Sequence, residues 1–126
     1  LQGHDHTYAR GRAAARNVAG GVNTRVGGAG PVYVVSVSGA KMYDASAGGW
    51  ERYAARLERR AENTQLFQVI RIAGDTLRYR AHTATGAVYD AFDLIRRGRD
   101  NRLVERTPAG APTRTMESPP AYRDPA

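Results

Sequence analysis

The sequence predicts an α/β chain, on three observations. A β-branched run spans residues 31–38, an apolar stripe of helical period spans residues 50–62, and three strand-like runs joined by short turns, the middle one alternating, span residues 65–96. In the first, Val32, Val34, Val35 and Val37 leave Ser36 and Ser38 as the polar positions, between Pro31 and Gly39. Such a run reads as a buried strand. In the second, Trp50, Tyr53, Ala54, Leu57 and Ala61 recur at i, i+3, i+4, i+7 and i+11, and the spacing predicts a helix with one narrow apolar face. Its opposite face carries Arg52, Arg56 and Arg60. Like charges four apart weaken an isolated helix slightly, and the row fits a solvated face better than contact with an anionic surface.

The third stretch predicts a meander. Leu77, Tyr79 and Ala81 alternate with Arg78, Arg80 and His82, the period of a half-buried strand. Residues 66–72 precede it across Gly74-Asp75, and Val88, Asp90, Phe92 and Leu94 follow across Thr85-Gly86. Turns this short favour hairpins. Residues 11–30 hold six glycines and no apolar period, which reads as a loop. Residues 98–126 hold five of the six prolines and little apolar pattern, so a disordered tail is expected there.

Composition excludes several classes. The chain has 126 residues, 41% of them apolar, no cysteine and a net charge of +7. Disulfide frameworks, thiolate metal sites and thiol catalysis are therefore out. The longest apolar run falls far short of the roughly 20 residues a membrane helix needs, so no membrane span is expected. Of the nineteen basic residues only Lys41 is lysine, a bias that fits a GC-rich coding sequence. The basic excess is spread along the chain rather than gathered in a cluster, so no nucleic-acid partner is expected. The chain opens on Leu1 without a basic segment leading into an apolar core, so no targeting signal is visible and a fragment is expected.

One constellation could carry chemistry. His4 and His6 flank Asp5, and in an extended segment residues two apart point to the same side. Both imidazoles could then reach one metal or two adjacent ones, of the Fe, Zn, Mn or Ni type, with Gly3 letting the backbone come close. His82 lies on the polar face of a strand and reads as a surface histidine.

The run Gly3-His4-Asp5-His6-Thr7-Tyr8-Ala9-Arg10 resembles the last conserved block of the calcineurin-like metallophosphoesterases. Its GHxHxYxR form is most similar to purple acid phosphatases and their bacterial relatives. Residues 31–44 resemble the strand that follows this block in the family, and residues 61–94 its C-terminal β-segment, in the same order.

The resemblance implies that residues 1–97 are the C-terminal part of a metallophosphoesterase α/β sandwich. Residues 1–10 would be the metal-ligand loop and residues 31–97 would supply a strand, a helix and a meander. It implies two metal ions, Fe, Zn or Mn, with His4 and His6 as ligands, one to each. Gly3, Tyr8 and Arg10 would support the loop, and Asp5 would be a spacer. It implies hydrolysis of phosphate monoesters, the two metals clamping the phosphate and lowering the pKa of a water between them. Family members are commonly exported, which is the expectation for localisation.

The family's other ligand blocks, DxH, GDxx[DY] and GNH, are absent from this sequence. Gly74-Asp75 is followed by Tyr79 one position too late. The remaining ligands would come from the missing N-terminal part of the same polypeptide, and the chain alone is expected to be inactive. It would also fold marginally, exposing Val32, Val34, Ile70, Leu77 and Phe92. A small antiparallel β binding module without catalysis is the alternative, with an Arg-rich nucleic-acid binder using Arg52, Arg56, Arg60, Arg78 and Arg80 as a third reading.

Overall fold

A computed structural model describes residues 7–13, 31–36 and 55–116. Among these the chain is all-β, with eight strands in two four-stranded sheets and no helix. The expected α/β class is thereby corrected. No helix among the described residues is long and apolar enough to cross a membrane.

The first sheet has the order β2-β1-β3-β8. Its strands are β1 (Tyr8–Ala13), β2 (Val32–Val35), β3 (Ala55–Glu62) and β8 (Arg114–Met116). The second is a meander in chain order, β4 (Leu66–Ala73), β5 (Thr76–Thr83), β6 (Val88–Arg97) and β7 (Asp100–Glu105). All pairings are antiparallel except that of β3 with β8.

The meander follows its sequence pattern closely. Gly74 and Asp75 form a two-residue loop between the paired residues Ala73 and Thr76, and Gly74 takes a positive φ of 56°. A side chain in that left-handed region costs about 1–2 kcal/mol. Gly74→Ala should therefore destabilise the chain by roughly that amount, read from the urea midpoint, although a Cβ there would meet no atom within 4 Å.

The stretch expected to be helical is β3 in its described part, residues 55–62. Leu57 and Ala61 lie four apart, a spacing that fits one face of a helix or of a regular strand, and a bulge at Arg10/Gly11 then sets them opposite Gly11 and Tyr8, on opposite faces of β1. Tertiary pairing chose: β3 hydrogen-bonds to β1 on one side and β8 on the other, overriding the helix propensity of Ala, Leu, Glu and Arg. The row Arg56 and Arg60 is also broken. The same bulge sets Arg60 opposite Ala9 and Arg56 opposite Arg12, residues on opposite faces of β1. Arg60 lies 3.4 Å from Glu62, and Arg56, mostly exposed, lies 3.6 Å from Glu58. Trp50, Arg52 and Tyr53 lie outside the described residues.

Three further strands stand where a loop or a tail was expected. β1 takes up residues 8–13, and β7 and β8 lie within the stretch read as a disordered tail. Gly98, with a φ of 60°, turns the chain between Arg97 and Asp100, which pair. β7 is an edge strand with only Leu103 and Val104 as apolar residues, too few to show a period.

The sheets meet across one core. Tyr8, Val34 and Ala61 from the first pack with Leu66, Tyr79, Ala81, Tyr89 and Phe92, and Val32, Leu77, Leu94 and Leu103 close around them. Of the five residues expected to be exposed in an isolated chain, Val34 and Phe92 are buried and Val32 and Leu77 partly so; Ile70 is exposed. Ile72, at the end of edge strand β4, is 73% exposed.

Candidate functional site

Gly3, His4, Asp5 and His6 lie outside the described residues. Tyr8 and Arg10, the other residues of the block, begin β1 and are among the most deeply buried side chains of the protein. Strand alternation points both toward the meander, where they meet Asp90 of β6.

Asp90 is the hub. Its Oδ2 accepts the Tyr8 hydroxyl at 2.6 Å and Arg10 Nε at 2.8 Å. Its Oδ1 accepts Arg10 Nη2 at 2.9 Å and the Thr107 hydroxyl at 3.0 Å. Four donors thus fill the roughly four acceptor sites of a carboxylate. Arg59 Nε stands 3.3 Å from Oδ1, near enough for charge attraction but not aimed as a hydrogen bond. Arg59 spends its Nη2 on the carbonyls of Tyr89 and Pro112, at 3.0 and 2.8 Å.

Arg10 is satisfied in full. Beside its two bonds to Asp90 it gives a second fork to Glu105, Nη1 to Oε1 at 2.8 Å and Nη2 to Oε2 at 3.0 Å. Its last hydrogen reaches Glu58 at 3.4 Å. The guanidinium carbon also lies 5.0 Å from the centre of the Phe92 ring. Five N–H groups in a rigid fork suit two carboxylates at once, which a lysine could not match. Burial opposes the charge on Arg10, but the hydrogen bonds it donates to Glu105 and Asp90 outweigh it and hold the guanidinium protonated.

The tyrosines complete the network. Tyr79 donates to the Tyr8 hydroxyl at 3.1 Å, and Tyr89 donates to the Arg60 carbonyl at 2.6 Å. Burial, then Tyr79 and Asp90, push the Tyr8 hydroxyl far above the ordinary tyrosine value. Burial raises Tyr79 as well, and pushes Tyr89 up to about 12 against the pull of Arg59. Because the folded values are raised, the stability tied to these hydroxyls is full below about pH 10 and is lost as pH rises above it. The chain should therefore unfold in mild alkali, with the ultraviolet signal of tyrosinate rising together with the loss of circular dichroism.

Most of this network was not visible in the sequence. Glu105, Thr107 and Arg59 carry no local signal. Asp90 does carry one: it occupies a core position in the alternating run Val88, Asp90, Phe92 and Leu94. A carboxylate in a core row needs a buried cationic partner.

The arrangement can hold a strand end; its exposed carboxylate, Glu105, is forked to Arg10. No group of three or more metal-binding side chains occurs among the described residues. His82 is half-buried and stacks on Phe67, with ring centres 5.1 Å apart. Comparison with protein-family models, with characterised proteins and with solved structures finds no match.

Proposed function

We propose that this chain is the C-terminal part of a two-metal phosphatase acting on phosphate monoesters, with His4 and His6 each giving one metal ligand. The observation that carries the reading is the run Gly3–Arg10 and the anchoring of its second half. Tyr8 and Arg10 are fixed to Asp90 by three hydrogen bonds, and His6 precedes Tyr8 by two residues. The anchoring of Tyr8 and Arg10 supports the loop-bearing role that the block gives them.

Two imidazoles do not complete a two-metal site, and the described residues add no further cluster. The remaining donors, and the catalytic steps that depend on them, belong to the upstream DxH, GDxx[DY] and GNH blocks of the same polypeptide. The decisive experiment determines the coding sequence upstream of Leu1 and expresses the whole protein. Those three blocks should stand in frame, the protein should hydrolyse p-nitrophenyl phosphate, and His4→Ala should lower bound metal and turnover together. Absence of the blocks, or full metal content in the His4→Ala/His6→Ala protein, overturns the reading.

A non-catalytic β binding module is the second reading. Two sheets that bury a common core favour it, since the described residues need no further domain to cover Phe92 or Val34. It expects the 126-residue chain to unfold cooperatively at a midpoint that neither zinc nor a chelator moves.

A further inference from the structure

The meander has a second face, turned away from the first sheet. Register places Phe67, Val69 and Arg71 of β4 there, opposite His82, Arg80 and Arg78 of β5. Asp93 and Ile95 of β6 and Arg102 and Val104 of β7 continue the rows. Two features of this face lack a structural explanation among the described residues.

The first is the charge. Arg71 and Arg78 pair directly across neighbouring strands, and both are exposed. Like charges so placed destabilise a sheet. Asp93 could relieve them, but it is already held by Arg80 at 2.9 Å and Arg106 at 3.1 Å. Among the described residues Arg71, Arg78 and Arg102 form no ion pair.

The second is the ring pair. Phe67 and His82 stack nearly parallel, 12° apart, yet Phe67 remains 44% exposed. β4 is the edge of its sheet, so no further strand among the described residues faces the free side of the Phe67 ring. Val69, also exposed, lies between this ring and Arg71. From Phe67 to Arg71 is four residues, about 13 Å along an extended strand.

A planar ring with a free face, beside unpaired guanidiniums a few nucleotides' length away, is the chemistry of a single-strand binding surface. We propose that the outer face of the meander binds single-stranded nucleic acid, one base continuing the His82–Phe67 stack and the backbone phosphates passing Arg71 and Arg78. The basic residues are spread along the sequence, which argued against such a partner. Strand pairing gathers them. An acidic protein would satisfy the arginines but would leave Phe67 unused, so the ring favours nucleic acid. The inference is independent of the phosphatase reading, and either can fail alone.

The test is fluorescence anisotropy of a labelled oligothymidylate of about twelve nucleotides, titrated with the 126-residue chain. Affinity should fall roughly seven-fold between about 50 and about 200 mM salt, the slope for about two phosphate contacts. Phe67→Ala should weaken binding roughly five- to hundred-fold through lost stacking. The exposed pair Arg71→Glu/Arg78→Glu should weaken it more than about tenfold, with the circular dichroism of the native chain retained. Arg56→Glu, an exposed charge on the other sheet, should leave it unchanged. No binding at low salt, full affinity in Phe67→Ala, or equally tight binding of polyglutamate would each overturn the proposal.

Discussion

Asp90→Ala should destabilise the chain by about 3–5 kcal/mol, the cost of breaking a buried charge pair from one side. The side chain is fully buried and accepts from Tyr8, Arg10 and Thr107. Its loss leaves the Tyr8 hydroxyl with Tyr79 alone and removes one of the two forks of Arg10. It also leaves Arg59 Nε without the carboxylate beside it. Small domains hold only about 5–15 kcal/mol in total, so the variant should be largely unfolded at modest urea concentrations. Denaturation followed by circular dichroism measures it directly. Asp90→Asn separates charge from shape: it keeps the volume and one acceptor but no longer balances Arg10. A loss close to that of Asp90→Ala would show that charge dominates. A double-mutant cycle with Tyr8→Phe should give a coupling of about 0.5–3 kcal/mol, since the two groups share one hydrogen bond at 2.6 Å.

Phe92→Ala should cost a similar amount, about 3–5 kcal/mol, by a different route. The ring is 3% exposed, lies 4.6 Å from Tyr79 in a near-parallel stack, and carries the Arg10 guanidinium over its face. Truncation removes buried apolar area and leaves a cavity between the sheets. It also strips the apolar wall that screens the Arg10–Asp90 pair from water. The expected readout is a lower urea midpoint with an unchanged slope. A lower slope would instead report a loosened native state. Phe92→Leu should recover a good part of the loss, because it refills volume without restoring the cation–π contact.

Both predictions act on one point of the fold, the crossing of β1 over β6. Segments some 80 residues apart meet there, Arg10 with Asp90. If the segment bearing His4 and His6 is a metal loop, Asp90 and Phe92 hold the strand that follows it. Their variants would then weaken metal binding in the whole protein in proportion to how far β1 is displaced.

The meander and β2 were legible in the sequence, although β2 is an edge strand that buries Val34 alone rather than a buried strand. β4, β5 and β6 were legible because β5 alternates with period two, its neighbours are rich in strand formers, and the turn residues Gly74-Asp75 and Thr85-Gly86 have a local cause. β2 was legible because a valine run admits few alternatives. These features rest on contacts between neighbours in sequence, which a sequence can display. The tertiary structure alone decided β3, where a four-residue spacing serves helix and strand equally until β1 and β8 take up its backbone bonds. It decided β1, β7 and β8 too, whose few apolar residues show no period because an edge or a charged core position needs none. It decided the partners of Arg10 as well: a guanidinium in the core is tolerable only where Asp90 and Glu105 converge on it, and convergence across so long a stretch of chain leaves no mark on local sequence. The single hint was an aspartate in an apolar row, which says that a partner must exist but not which residue it is.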